Sequence, residues 1–245
     1  MARRNPLQKF IDKMAAHTVR LVRNADQLLN ADERGIASGL ILRRPHGLVL
    51  LTAGHSFMKE GEWTLETNVV VQGQTLSLAL PNLHILLSID ARPGVVTPID
   101  VAWAPLDEAV LARILDEIEP RRKRKLVLPQ YAGPIDEPAD PESLYGYAAK
   151  NLGFVDPYRK EFVLELSYEV GMTFRGERED GLFVFKLARP HQGHEYYSGA
   201  SGAPIADESG RVVSILLGGE PARNELYGLP LYRYAGVIDA TTKDG

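Results

Sequence analysis

The chain has 245 residues, 44% of them apolar, a formal net charge of −4 and no cysteine. That length fits one large domain or two small ones, with enough apolar material for a sizeable core. The acidic balance excludes a general attraction to nucleic acid or to an anionic membrane, and the missing cysteine excludes disulfides, thiol nucleophiles and cysteine metal sites.

A cysteine-free chain suits a reducing compartment. The start, "MARRNPLQKF", is basic, but no apolar run of signal-peptide length follows it. No window approaches the roughly 18 apolar residues that cross a bilayer. The expectation is a soluble, cytoplasmic protein with no nucleic-acid or membrane partner.

Along the chain, residues 5–16 set Leu7, Phe10, Ile11 and Met14 at helical spacing, which predicts a short amphipathic helix. His17 to Arg23 alternates polar and apolar residues and predicts a strand. Two strands follow, about 36–43 and 47–53, joined by a turn at Pro45-His46-Gly47. A further pair flanks Gln72-Gly73, and two more lie between Leu83 and Leu106, the second from Ile99 to Ala104. Six or seven short strands separated by turn signals predict an antiparallel barrel or sandwich rather than βαβ units.

The pattern changes at "DEAVLARILDEIEPRRKRK". Val110, Leu111, Ile114, Leu115 and Ile118 form an apolar helical face, and Pro120 stops it. This divides the chain into a first half, about 16–106, a connecting helix, 107–125, and a second half, about 126–241. The second half predicts strands in "KLVLPQY", "SLYGYAAKN", "RKEFVLELSYEV", "LFVFKLARP", "RVVSILLGG" and "YRYAGVID". The Pro- and acid-rich segment 132–143 predicts a surface loop.

Three segments carry candidate chemistry. In "LLTAGHSF" an apolar strand ends and His55 follows Gly54. In "TPIDVAWAPL" Asp100 interrupts an apolar strand, where a carboxylate without a partner is costly. In "YYSGASGAPIAD" Ser201 sits in a run of small residues. Each alone has an ordinary reading as a turn residue or a paired acid. Together they supply a nucleophile, the base that a serine needs, and the carboxylate that orients that base.

These blocks resemble the signatures of the trypsin-like (chymotrypsin-fold) serine proteases. "TAGH" is similar to the family's histidine block, with Gly54 a variant, and Asp100-Val101-Ala102 to its aspartate block. Gly199, Ser201, Gly202 and Pro204 match its serine block, and Ser38-Gly39 matches a Ser-Gly pair on the strand before the histidine. The resemblance runs from about Ala16 to Thr241, strong in the three blocks and thin elsewhere.

The resemblance implies a single all-β peptidase domain of two antiparallel six-stranded barrels, with a short N-terminal helix and an inter-barrel helix. It implies that Ser201 attacks a peptide carbonyl, His55 moves the proton, Asp100 orients His55, and the N–H groups of Gly199 and Ser201 form an oxyanion hole. No cofactor or metal is implied, and the partner is a protein or peptide substrate. Ala200 stands where digestive relatives carry an aspartate that pairs with a newly cut N-terminus, so activation of that type is not expected. The absent disulfides are like those of intracellular bacterial relatives, and a regulatory or defence role with a protein partner is the wider expectation.

Counting six back from Ser201 gives Glu195 as the candidate base of the specificity pocket, favouring Lys or Arg. Leu217, Gly218 and Gly219 would flank that pocket and offer backbone to an extended peptide. Leu217 stands where many relatives place a serine near the aspartate. Tyr232 and Tyr234 line the pocket or fill the barrel core.

Rival readings are weaker. "GASGA" lacks the final glycine of a nucleophile elbow, and no βα alternation surrounds it. His191 and His194 in "HQGHE" lack the helical arrangement of a zinc site. The basic run 121–125 reads as a solvated face. The remaining alternative keeps the fold without catalysis, as a peptide- or protein-binding module.

Overall fold

The structure, a computed structural model, describes residues 6–24, 35–58, 61–71, 74–80, 83–89, 96–109, 113, 128–156 and 161–241. The predicted first helix forms as α1 (Pro6–His17). It buries Ile11 and Met14, half-buries Phe10 and leaves Leu7 exposed, as its spacing requires. At its end the one hydroxyl hydrogen of Thr18 lies between two carbonyls, Ala148 O of the second half at 2.7 Å from Oγ1 and Met14 O of the helix's last turn at 3.0 Å.

The first half contributes β1 (Thr18–Asn24), β2 (Ile36–Arg44), β3 (Gly47–Thr52), β4 (Glu62–Val71), β5 (Gln74–Ala79), β6 (His84–Ile89) and β7 (Val96–Leu106). They form one antiparallel sheet in the order β5-β4-β1-β2-β3-β7-β6. β4 returns to pair with β1 rather than with β3. Unlike the closed first barrel expected from the resemblance, this sheet has no β5–β6 pairing among the described residues.

The second half contributes β8 (Leu144–Asp156), β9 (Glu161–Glu177), β10 (Phe183–Lys186), β11 (Pro204–Asp207), β12 (Val212–Glu220) and β13 (Glu225–Pro230). These close into a six-stranded barrel, β10-β13-β12-β11-β8-β9, with β9–β10 pairing as the closure. Its interior holds Tyr145, Tyr147, Met172, Phe185, Ile205 and Val213, all fully buried.

β2 and β3 explain how the halves join. They are apolar on both faces because both faces are covered. The two-residue period sends Ala37, Ile41, Leu48 and Leu50 into the first half's own core. It sends Leu40, Leu42, Val49 and Leu51 to the other side, against Ala206, Val212, Ile215 and Leu229 of the barrel. Removing a fully buried leucine from such a place typically costs about 2–5 kcal/mol.

Three segments differ from the expected elements. "YRYAGVID" is a 3-10 turn (Leu231–Arg233) followed by a helix, α2 (Ala235–Thr241), rather than a strand. Ile238 N–H returns to Tyr234 O at 2.9 Å, Ala235 and Ile238 turn inward together, and Arg44 pairs with Asp239 at 2.5 Å. Of "KLVLPQY", the described residues 128–131 make an isolated parallel bridge between Tyr131 and Leu42. Pro129, which has no N–H, cannot donate to a longer ladder there. The acidic loop 132–143 is a loop, but Ile135 and Ala139 are buried and pin it to the core. Of the connecting helix only 107–109 and 113 are described; the rest, with the basic run 121–125, lies outside the described residues. Where it starts, Asp107 Oδ1 accepts the N–H of Ala109 at 2.8 Å.

Candidate active site

After β3 the chain stays extended at Ala53 and enters a 3-10 turn, Gly54–Phe57, which presents His55 at the seam. Gly54 permits this because the turn hugs β7. A Cβ there would lie 3.0 Å from Val101 N and 3.3 Å from Asp100 Oδ1. Asp100 of β7 faces the turn. Its Oδ1 accepts His55 N–H at 2.7 Å, and its Oδ2 lies 2.8 Å from His55 Nδ1. A carboxylate on the Nδ1 side places the ring hydrogen there and leaves Nε2 as an acceptor. Nε2 stands 3.1 Å from Ser201 Oγ. Burial pushes the Asp100 carboxyl up, but hydrogen bonds from the ring and N–H of His55 and from Gly54 N–H outweigh it. The group is held below its ordinary range, so it is ionised at neutral pH.

The serine loop belongs to the barrel, yet it is fastened to the first half. Ser38 N–H donates to Ser201 O and Ser38 Oγ donates to Gly199 O, both at 2.8 Å. On the barrel side, Gly202 N–H donates to Leu216 O at 2.7 Å and Leu216 N–H to Ala203 O at 2.8 Å. The two glycines take backbone angles that a side chain resists, with φ of 81° at Gly199 and 87° at Gly202. Ala200 is buried, and its N–H is taken by Tyr197 O at 3.0 Å. The N–H groups of Gly199 and Ser201, on either side of it, meet no acceptor among the described residues. Two unpaired donors beside a serine oxygen are the elements of an anion-stabilising site.

A pocket of about 220 Å³ opens beside Ser201, walled by Ala200, Leu216, Leu217, Gly218, Gly219 and Leu226 and by the rings of His191, His194 and Tyr197. Leu217, Gly218 and Gly219 line it on one side. Glu195 does not line this pocket; it is exposed on the 3-10 turn Glu195–Tyr197. The count from Ser201 fails because that turn swings Glu195 outward and Tyr197 inward. The buried acid of the region is Glu169, whose side chain is fully enclosed behind Tyr197. Tyr197 Oη donates to Glu169 Oε1 at 2.8 Å and Arg189 Nε donates to Oε2 at 2.9 Å. Sequence reasoning missed this pair, since neither residue sits near a motif. The acceptors of Asp100 are met by His55 and Gly54. Tyr232 stacks on Phe183 in the barrel core, with centroids 6.0 Å apart, and Tyr234 packs against the core between the halves.

The chain has the trypsin-like serine protease fold. A serine endoprotease from Yersinia pestis superposes with a TM-score of 0.55 at 13% identity, over 100% of this chain and 69% of that one. The Rv3671c protease in an inactive form gives 0.52 at 13% identity, over 99% and 98%. A tobacco etch virus protease complexed with product gives 0.53 at 11% identity, over 99% and 83%. At these identities the likeness is one of fold. No protein-family model matches the sequence, and no curated protein does.

Proposed function

We propose that this protein is a serine endopeptidase. One observation carries the reading: Asp100, His55 and Ser201, supplied by two different halves, join in an unbroken chain of contacts of 2.8 and 3.1 Å. Ser201 Oγ attacks the scissile carbonyl carbon and its proton passes to His55 Nε2. The carbonyl oxygen, now negative, takes the N–H groups of Gly199 and Ser201. Collapse expels the amine, which takes the proton from Nε2, and leaves an acyl ester on Ser201. His55 then removes a proton from water, the hydroxide displaces the serine, and the proton returns to Oγ. No cofactor enters this sequence.

The substrate backbone would lie along Leu217–Gly219. β11 pairs with β12 no further than Ile215, so beyond it that edge of β12 has no strand beside it among the described residues. Ala200 cannot pair with an amine and Ser38 already orders the serine loop, which supports a reading in which control lies in target choice and a partner protein, within the cytoplasm. Indiscriminate digestion of denatured casein by the isolated protein counts against that control.

The reading is tested with a fluorophosphonate. A mass increase on Ser201, abolished by Ser201→Ala, is expected. No labelling anywhere between about pH 6 and about 9 would leave a peptide-binding module instead.

A further inference from the structure

His191 and His194 were set aside as metal ligands, and neither has a part in the proposed chemistry. Both rings nevertheless wall the pocket next to Ser201. His191 is firmly placed. Its N–H donates to Asn224 Oδ1 at 2.7 Å, and its ring packs on Tyr197 with centroids 4.4 Å apart. Gly193 N–H donates to its Nδ1 at 3.1 Å. With Nδ1 occupied as an acceptor, the neutral ring carries its hydrogen on Nε2. That Nε2 faces Gly219, where a Cβ would come to 3.3 Å from it and to 2.6 Å from Leu226 Cδ2. The wall is therefore bare of side chain where the donor points. No acceptor among the described residues takes Nε2–H.

An Nε2–H that no group of the described residues takes, on the wall of the pocket beside Ser201, offers a donor to a ligand oxygen. No carboxylate lines the pocket to hold a cation, although Glu169 and Glu220 stand close enough for their charges to act on His191. The buried acid, Glu169, lies behind Tyr197 and is already engaged by Arg189 and Tyr197, and Glu195 is outside. Burial, and the neighbouring His194, push the His191 imidazole below its ordinary range, so it enters neutral pH as a neutral donor.

We infer that this pocket selects, on the acyl side of the scissile bond, a side chain ending in a carbonyl or carboxylate oxygen at the reach of glutamine or glutamate, and that His191 Nε2–H reads it. The inference deepens the peptidase reading and rests on it for its catalytic arm.

The test uses peptides identical except for Gln, Glu, Lys, Arg or Leu before the cleaved bond. The expected kcat/KM is about ten-fold or more higher for Gln or Glu than for the other three, and the Gln to Glu ratio tells amide from acid. In His191→Phe, which keeps a ring against Tyr197 but no nitrogen, the Gln to Leu ratio falls to about one. An active enzyme that prefers Lys, Arg or Leu, or a His191→Phe variant that keeps the wild-type ratio, overturns the inference while the peptidase reading stands. A second arm needs no turnover. Ser201→Ala is titrated by fluorescence anisotropy with peptides ending in the same five residues. If the wild type neither labels nor cleaves, about ten-fold tighter binding of Gln or Glu peptides upholds the pocket and removes the peptidase. Equal binding, or tighter binding of Lys, removes both.

Discussion

Gly202 offers the sharpest test of how the nucleophile is held. A methyl group there would stand 2.1 Å from Ser38 O, 2.5 Å from Thr52 Oγ1 and 3.0 Å from Ala53 N. Two costs follow. The φ of 87° disfavours any L-residue by about 1–2 kcal/mol. The overlap is with backbone that cannot step aside alone, because Ser38 O also accepts Thr52 Oγ1 at 2.7 Å while Ser38 N–H and Oγ hold the serine loop. Relief means breaking two or three of those bonds, at about 0.5–1.5 kcal/mol each. The sum is about 2–6.5 kcal/mol, a large share of the 5–15 kcal/mol or so that keeps a domain folded. Urea unfolding followed by tryptophan fluorescence measures it, in a Ser201→Ala background so that self-cleavage plays no part. Gly176→Ala is the control. Its φ is 108° and a Cβ would meet nothing within 4 Å, so only the first cost, about 1–2 kcal/mol, is expected. If Gly202→Ala costs no more than Gly176→Ala, the clamp between Ser38 and the serine loop is not what fixes that loop.

Two further outcomes are expected. Asp100→Asn replaces one of the two oxygens that His55 uses with an NH2 group, so either the ring or the backbone N–H loses its acceptor. The kcat should fall about a thousand-fold or more with little change in KM, and a loss under about ten-fold would contradict the orienting role. Asp207 concerns stability. Burial pushes its carboxyl up, but Ser209 Oγ, Arg211 N–H and the Arg211 guanidinium outweigh that and hold it below its ordinary range. A depressed carboxyl stabilises the fold above its unfolded-state value of about 4, and that contribution fades as pH falls through the folded-state value. Wild type should therefore exceed Asp207→Asn in stability at about pH 7, and the gap should close in acid. A gap that widens on acidification would reverse the sign of this linkage.

The parts legible in the sequence were those that local chemistry specifies. His55, Asp100 and Ser201 each interrupt a local pattern, and an apolar strand with one acid in it already demands a partner. α1 was legible because Ile11 and Met14 repeat at helical spacing. The C-terminal segment was not. Tyr232, Tyr234 and Val237 carry strand preference, and the inward turn of Ala235 and Ile238 is decided by the core they meet between the halves. The pocket was misread for a similar reason. A count along the chain cannot register a 3-10 turn, and that turn exchanges Glu195 for Tyr197. Glu169 and Arg189 were beyond reach, since a buried pair formed across distant segments leaves no local signature. The two-sided burial of β2 and β3 was visible only as unbroken apolar runs, without saying what lay on each side.

His55 and Ser201 rest on different halves, and Ser38 is the rivet between them. A slip of the two bodies by about an ångström, far less than would wet either core, carries Oγ out of reach of Nε2. On the peptidase reading, turnover would be a finer thermometer of the junction than any optical melt: on warming, it would fade while both interiors still report themselves intact.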